Sequence, residues 1–262
     1  MASILRKIFR KKKNPPLKCE ISLDGQPSLM ESDPNHKHTA ACFIDFTPLS
    51  VLELFQSQGC VSCPPALPKI QAAAAKDPNL LLLTYNVTYF NNSTGWTDTF
   101  ASNQWDARQK AYVKKWGRDG LFTPQVIADG ITDGTGAEEG DVYGIVEAAR
   151  GSKGAMEWHI TLDVSELGLR IDTDLQEAEV HDVLVIRYDP KLQTVKPKKG
   201  PNKGKKLKHV NQVMQVMKVG EWRGGNLDVV LPEMAGMMGD GLETVAVVQQ
   251  GAGGPIVVAQ KV

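Results

Sequence analysis

Cys60 and Cys63 carry the clearest chemical signal in this chain of 262 residues. Val61 and Ser62 separate them, which is the C-x-x-C spacing of dithiol pairs that exchange with disulfides. The thiolate form of cysteine is the nucleophile, so such a pair reacts only where its surroundings lower the pKa of one thiol. The reactivity of this pair therefore depends on the elements that hold it.

The elements predicted around the pair are a strand, a turn and a helix. Apolar residues 51–55 form the strand, Gly59 ends the turn, and apolar positions recur at helical spacing between residues 66 and 74. Proline lacks an N–H and is tolerated only in the first helical positions, so Pro64 and Pro65 place the helix start close to Ser62. Serine is a residue type that caps helix N-termini well.

This arrangement puts both sulfur atoms at the positive end of the helix. A thiolate is stabilised there, and the pKa of a cysteine falls. We predict that Cys60, on the exposed side of the turn, is the nucleophile. Cys63 lies nearer the helix body and would resolve the mixed disulfide.

Thr123 and Pro124 are the second predicted part of the site. They enter an apolar strand that ends in a turn at Gly130, after a buried strand at 80–90 and a helix at 101–116. We predict a cis peptide bond before Pro124, which would expose backbone beside the thiols. Such backbone pairs with an extended partner peptide by strand addition.

The same cysteines allow other interpretations. A structural zinc site needs four ligands, but Cys19 and Cys42 are isolated and no closely spaced histidine pair follows the motif. A copper or other soft-metal site that uses both thiolates, together with His36 or His38, is left open. A plain structural disulfide is disfavoured in a reducing cytosol. The alternative to an enzyme is a non-catalytic redox-sensing or copper-binding module.

Charge balance and hydropathy exclude several classes of protein. The chain has 30 basic (Lys+Arg) and 30 acidic (Asp+Glu) residues, which argues against a whole-surface nucleic-acid binder. No run approaches the roughly 18 consecutive apolar residues of a membrane span, so no integral membrane segment is expected. The glycine fingerprint of a dinucleotide site is absent from the sequence. No cofactor is expected, and the predicted partner is a protein that carries a disulfide or a thiol.

Residues 1–46 are predicted to be a basic and polar N-terminal extension. The stretch up to Lys18 contains no acid, and the basic run leads directly to Asn14–Pro16 without the apolar core of a secretory signal. A cytoplasmic protein is therefore expected. The amphipathic start without acidic residues also fits a mitochondrial targeting presequence, so a mitochondrial protein is the alternative.

A second basic cluster lies between two predicted strands, Val183–Tyr188 and Val210–Val219. It contains seven lysines and no acidic residue: Lys196, Lys198, Lys199, Lys203, Lys205, Lys206 and Lys208. Its prolines and glycines predict a long hairpin loop without regular structure. Such a charge run is typical of a solvated face, and a weak contact with an anion is the functional alternative. No aromatic residues are interleaved, which disfavours single-stranded nucleic acid.

Several short blocks together resemble the DUF1223 family. They are Glu53–Ala66, Gly95–Trp96, Arg108–Gln109 with Tyr112, Thr123–Gln125, Asp129–Gly130, Gly200–Gly204, Leu207–Asn211 and Gly254–Ile256. The resemblance covers roughly residues 48 to 262. It implies an α/β protein with a thioredoxin-like domain at 47–153, followed by a smaller antiparallel β-rich domain at 154–262. The alternating or continuous apolar runs after residue 154, separated by turns, agree with that β-rich part.

The chain departs from the family pattern at three points. Bacterial members are mostly exported, and the missing export signal predicts an intracellular variant. The family tends to carry His and Asp on the strand and turn occupied here by Asn86, Thr88 and Asn91, and Pro201 stands where the family has Glu. The two cysteines and Thr123–Pro124 are retained. The predicted function is therefore a thiol–disulfide oxidoreductase that acts on protein or small-molecule disulfides through Cys60 and Cys63.

Overall fold

A computed structural model describes residues 48–138, 140–156, 158–165, 168–230 and 240–262. The predicted extension 1–46, with Cys19, Cys42, His36 and His38, lies outside the described residues. The described elements are β1 (Ser50–Gln56), α1 (Cys63–Ala75), β2 (Leu80–Asn86), α2 (Asn91–Thr94), α3 (Asn103–Lys115), β3 (Gln125–Ala128), β4 (Thr132–Gly134), α4 (Asp141–Gly154), β5 (Ile160–Ser165), β6 (Gly168–Thr173), β7 (His181–Asp189), β8 (Gln193–Val195), β9 (Leu207–His209), β10 (Gln212–Trp222), β11 (Leu227–Val230), β12 (Glu243–Gln249) and β13 (Ile256–Lys261).

One large mixed sheet organises these elements, in the strand order β13-β12-β7-β10-β2-β1-β3-β4. Strand β1 runs parallel to β2 and antiparallel to β3. Strand β10 joins β2 through the pairing of Gln212 with Thr84. A smaller antiparallel sheet, β11-β6-β5, and the two-stranded β8–β9 ribbon complete the fold. The molecule is therefore a mixed α/β protein with a large central sheet and a smaller antiparallel one.

The large sheet runs across the domain boundary that the sequence predicts at residue 154. Strands β7, β10, β12 and β13 come from the predicted second domain and continue the sheet begun by β1 to β4. Residues 48–262 form one compact unit. In the part after residue 154, β5 and β6 pair with each other in antiparallel fashion.

The central strands are apolar because helices cover both of their faces. Val51 and Phe55 of β1 pack on the side of α3, in a cluster with Trp105. Leu52 and Leu54 point to the other face, which α1 and α4 cover. Strands that are buried on both faces read as continuous apolar runs, as the segment Leu80–Leu83 does.

Helix α1 begins where the two prolines predict. Cys63 is its first residue, Pro64 and Pro65 follow, and Ser62 stands at the N-cap position. The prediction that Ser62 caps the helix is wrong in one respect, because its backbone is helical and its side chain makes no capping hydrogen bond. Because proline has no N–H, Cys63 is the one residue among the first three of α1 whose backbone N–H needs an acceptor.

None of the described helices, of which α4 is the longest at 14 residues, has the length and apolar character to cross a membrane.

Candidate functional site

The dithiol lies at the junction of β1 and α1, and both cysteines are free thiols. The prediction that Cys60 lies on the exposed side of the turn is wrong. Its exposed fraction is 3%, that of Cys63 is 1%, and the neighbouring Val61 is exposed instead. The reason is packing, because both cysteine side chains turn inward and join the apolar cluster between the sheet and α1.

The sulfur of Cys60 takes the place of the missing serine cap. The N–H of Cys63 donates a hydrogen bond to Cys60 Sγ over 3.2 Å. This satisfies the free donor at the start of α1 and directs its partial positive charge at the sulfur. A negative sulfur accepts such a bond better than a thiol does, so the contact favours the thiolate.

The two thiols have opposite electrostatic surroundings. The Cys63 thiol hydrogen bond lowers the pKa of Cys60 to about 6, helped by Thr123 and by the N–H groups of Cys63 and Ser62, against burial, which raises it. Burial raises the pKa of Cys63 far above its usual value, and the hydrogen bond and negative charge of Cys60 raise it further. These opposite shifts favour the thiolate form at Cys60 and the thiol form at Cys63.

The Thr123–Pro124 peptide bond is cis, as predicted. The carbonyl oxygen of Thr123 lies 3.4 Å from Cys60 Sγ. The structure thus brings together all four candidate site residues, Cys60, Cys63, Thr123 and Pro124.

Gln109 of α3 fixes the loop that carries Thr123. Its side chain is fully buried. The Nε2 group donates to the carbonyl oxygen of Phe122 over 2.9 Å and to Oε1 of Gln125 over 2.7 Å. The two acceptors flank Thr123–Pro124, so one amide holds both sides of this segment. Sequence reasoning named Gln109 only as part of a family block.

Asn202 is a second site residue that sequence reasoning missed. It is fully buried, although it lies in the lysine-rich loop. Its Nδ2 group donates to the carbonyl oxygens of Cys60 over 2.6 Å and of Gln58 over 2.9 Å. Lys205 Nζ donates to its Oδ1 over 2.9 Å. Asn202 therefore ties the loop to the backbone of the dithiol turn, and its place in the Gly200–Gly204 block was the one available signal.

A buried polar network supports the turn before Cys60. Asp98 accepts a hydrogen bond from the N–H of Gln58 over 2.6 Å. Each of its two carboxylate oxygens also lies 2.9 Å from Nδ2 of Asn86, which donates to them. Gln56 Nε2 lies 3.1 Å from Asn86 Oδ1 and 2.8 Å from Nδ1 of His209. Burial raises the pKa of Asp98 and lowers that of His209 to about 4, so this histidine is neutral near pH 7. Asn86 is thus a structural part of the turn in this chain.

A separate ion pair positions α3. Glu53 of β1 is fully buried and pairs with Arg108 through contacts of 2.6 and 3.1 Å. Tyr112 donates to the same carboxylate, and Gln249 of β12 donates to Tyr112 over 2.9 Å. Because Gln109 follows Arg108 directly, this pair also sets the position of the amide that holds the Thr123 loop.

Within the described ranges, no group of three or more His, Cys, Asp or Glu side chains is arranged to hold a metal ion. The two histidines considered for a copper site, His36 and His38, lie outside those ranges.

Fold and site together define a mixed α/β protein with a buried dithiol at a helix start. The model of the family described as Protein of unknown function (DUF1223) matches residues 51–249. The chain belongs to this family, which confirms the resemblance found in the sequence.

Solved structures resemble the chain as well. A protein from Agrobacterium tumefaciens, determined by X-ray crystallography in a structural genomics programme, is 30% identical with a TM-score of 0.64, over 83% of this chain and 95% of that one. HBP35 of Porphyromonas gingivalis is 13% identical with a TM-score of 0.51, over 83% of this chain and 75% of its own. The second likeness is one of fold alone. No curated protein matches the sequence.

Proposed function

We propose that this protein is a thiol–disulfide oxidoreductase that works through Cys60 and Cys63. The observation that carries the proposal is the geometry of the dithiol, in which the N–H of Cys63 at the start of α1 donates to Cys60 Sγ over 3.2 Å. The lowered pKa of Cys60, about 6, and the raised pKa of Cys63 agree with this geometry. A thiol with a pKa below the ambient pH and a helix N-terminus beside it is the electrostatic setting of reactive cysteines.

The order and direction of the surrounding elements support a thioredoxin-like assignment for the first part of the chain. Strand β1, helix α1 and strand β2 form a parallel unit. Helix α3 leads to the antiparallel β3–β4 pair, and α4 follows. The cis Thr123–Pro124 segment reaches the dithiol from β3, so a partner strand beside it would meet Cys60.

The proposed reaction has two steps. The Cys60 thiolate attacks one sulfur of a partner disulfide, which forms a mixed disulfide and releases the other sulfur as a thiolate that takes up a proton. Cys63 then loses its proton and attacks Cys60 Sγ. The intramolecular disulfide closes, the partner leaves with both sulfurs reduced, and two electrons have passed to it. A second thiol protein restores the dithiol by the reverse exchange.

The structure supplies a reason for the order of these steps. The thiolate and the hydrogen bond of Cys60 both raise the pKa of Cys63. Once Cys60 is bound in a mixed disulfide, its negative charge is gone, and these two effects weaken or vanish. The pKa of Cys63 then falls, while burial, the largest cause of its rise, remains. Formation of the mixed disulfide therefore makes the second attack easier.

Access to the sulfur favours an adapted partner. With an exposed fraction of 3% for the whole residue, Cys60 presents little surface, so movement of neighbouring groups would ease its attack on a disulfide. A partner that binds beside the site before exchange can stabilise the opened form, whereas a small disulfide gains little from such contacts.

The test compares Cys60→Ser with Cys63→Ser. We expect Cys60→Ser to abolish disulfide exchange and Cys63→Ser to accumulate mixed disulfides that non-reducing gels and mass spectrometry detect. In wild type, mass shifts after alkylation across glutathione buffers should show a two-electron transition between roughly −270 and −120 mV. Full exchange by Cys60→Ser, or a pair that never forms a disulfide, would refute the proposal.

A further inference from the structure

The lysine-rich loop, residues 196–208, is built as part of the dithiol face. Residues 196–206 lie between β8 and β9, and Lys208 lies on β9 itself. The turns of the loop are closed by backbone hydrogen bonds from Lys203 to Gly200, from Gly204 to Pro197 and from Lys205 to Asn202. These bonds give the loop a defined path. The predicted hairpin loop is confirmed for residues 196–206, which contain turns but no helix or strand, whereas the β8–β9 ribbon at its base was not predicted.

Two contacts hold the loop against the site. Asn202 donates to the backbone of Gln58 and Cys60 on one side. On the other side Gly200, with a φ of +78°, lies so close to residue 94 that an added Cβ would stand 3.0 Å from the carbonyl oxygen of Thr94. Only glycine readily adopts this φ while its Cα lies this close to the backbone of Thr94. The loop thus lies between the dithiol turn and the end of α2.

All seven lysines of this basic loop are exposed. Among the described residues, none of them forms an ion pair, in contrast to Lys153 and Lys218 elsewhere in the protein. Their charge is therefore available to a partner. The loop contains no acidic residue that would offset it.

Three segments beside the dithiol contain no Asp, Glu, Lys or Arg: residues 56–68, 87–97 and 120–128. An acidic group close to them is the buried Asp98, which accepts the N–H of Gln58. The basic loop therefore adds exposed positive charge beside segments that carry none, although the net charge of the whole chain is zero.

We propose that the basic loop is the docking surface for an acidic polypeptide whose disulfide exchanges at Cys60. This inference rests on the proposed function and names the substrate class of that site. Exposed lysines attract such a partner over a Debye length of about 10 Å at 0.1 M salt and raise its encounter rate. The absence of interleaved aromatic residues from the loop favours a polypeptide over single-stranded nucleic acid.

The experiment uses the full chain and two synthetic peptides that share one disulfide loop. In one peptide the disulfide is flanked by glutamates, and in the other by the same number of glutamines. We expect kcat/KM to be about tenfold higher for the glutamate peptide at low salt, and this preference to fade as salt rises through about 0.1 M.

Three variants assign the preference to the loop. Replacing Lys198, Lys199, Lys203 and Lys206 with Gln should remove the preference for the glutamate peptide and leave turnover of the glutamine peptide unchanged. Replacing the same four with Arg should keep it. A control with the same loss of charge outside the loop, Lys76, Lys114, Lys115 and Lys261 to Gln, should also keep it. Lys205 stays unchanged in all variants because it contacts Asn202.

The outcomes separate the two proposals. Equal and salt-insensitive turnover of both peptides by wild type would overturn the docking inference and leave the oxidoreductase in place. Failure of wild type on both peptides would contradict the proposed function, and docking would then be judged by fluorescence anisotropy with Cys60→Ser. Equal binding of the two peptides, or equal binding of an oligonucleotide with the charge of the glutamate peptide, would refute the inference.

Discussion

The buried polar groups near the site fall into two regions that are built differently. Below α3, a full ion pair between Glu53 and Arg108 is closed by the hydroxyl of Tyr112. Around the dithiol turn the holding groups are amides, such as those of Gln58 and Asn202, together with the carboxylate of Asp98. No basic side chain pairs with Asp98 among the described contacts, so this region lacks the buried ion pair of the first. The causes of the low pKa of Cys60 are hydrogen bonds, opposed by burial.

The ion-paired region is expected to govern stability more than thiol chemistry. Glu53→Gln leaves Arg108 buried with an unpaired charge, and loss of one partner of a buried pair costs about 3–5 kcal/mol. Urea unfolding of the reduced protein measures this loss. The alkylation midpoint of Cys60 should stay near pH 6 in the variant. A large shift of that midpoint would break the comparison between the two regions.

A control for Glu53→Gln is Glu221→Gln. Glu221 pairs with Lys218 and Arg223 on the surface, where its side chain is 44% exposed. Exposed pairs contribute about 0–1 kcal/mol. The contrast between the two variants isolates the effect of burial.

The amide-held region is expected to show a smaller effect on stability. Asn202→Ala removes the one amide that donates to the carbonyl oxygens of Cys60 and Gln58, and loss of such a buried donor costs about 1–3 kcal/mol. Urea unfolding should show a loss in this range. The exposed Asn92 supplies the control, since Asn92→Ala should stay within about 0.5 kcal/mol of wild type. Equal stability of the two alanine variants would contradict the structural role of Asn202.

The prediction with the smallest expected effect concerns the pKa of the Cys60 thiol. Iodoacetamide alkylation of Cys60 should have a midpoint near pH 6, against an ordinary value of 9.0. Cys63→Ala removes the largest cause of the low pKa, so the midpoint should rise by about one unit, equivalent to about 1.4 kcal/mol. An unchanged midpoint would show that the helix start alone stabilises the thiolate.

The same pKa makes the stability of the reduced protein depend on pH. The pKa of Cys60 is lower in the folded state than in the unfolded chain. The thiolate therefore stabilises the folded protein fully above pH 9, and this contribution disappears as the pH falls through 6. Unfolding of wild type and Cys60→Ala at several pH values measures it. The difference between them should shrink from pH 9 to pH 6.

Local signals in the sequence predicted the start of α1 and the segment before β3. Pro64 and Pro65 restrict the backbone wherever they occur, so the helix start follows from residue types alone. The burial of Cys60 does not follow, because it depends on packing against residues of the sheet and of α4. The sequence likewise did not predict the continuous sheet, because the pairing of Gln212 with Thr84 joins residues far apart in the chain.

By itself the sequence determined the chemistry that is available: two thiols at C-x-x-C spacing, a helix start beside them and a lysine-rich segment without acids. Only the tertiary structure decided how that chemistry is arranged. It buried both sulfurs, set Gln109 against the Thr123 loop and placed Asn202 on the backbone of Cys60, which is 142 positions away. Residue type and spacing determine structure through contacts between residues close together in the chain, so a short stretch of sequence is enough to predict it. Contacts between distant segments arise from the packing of the whole fold, and no short stretch of sequence encodes them.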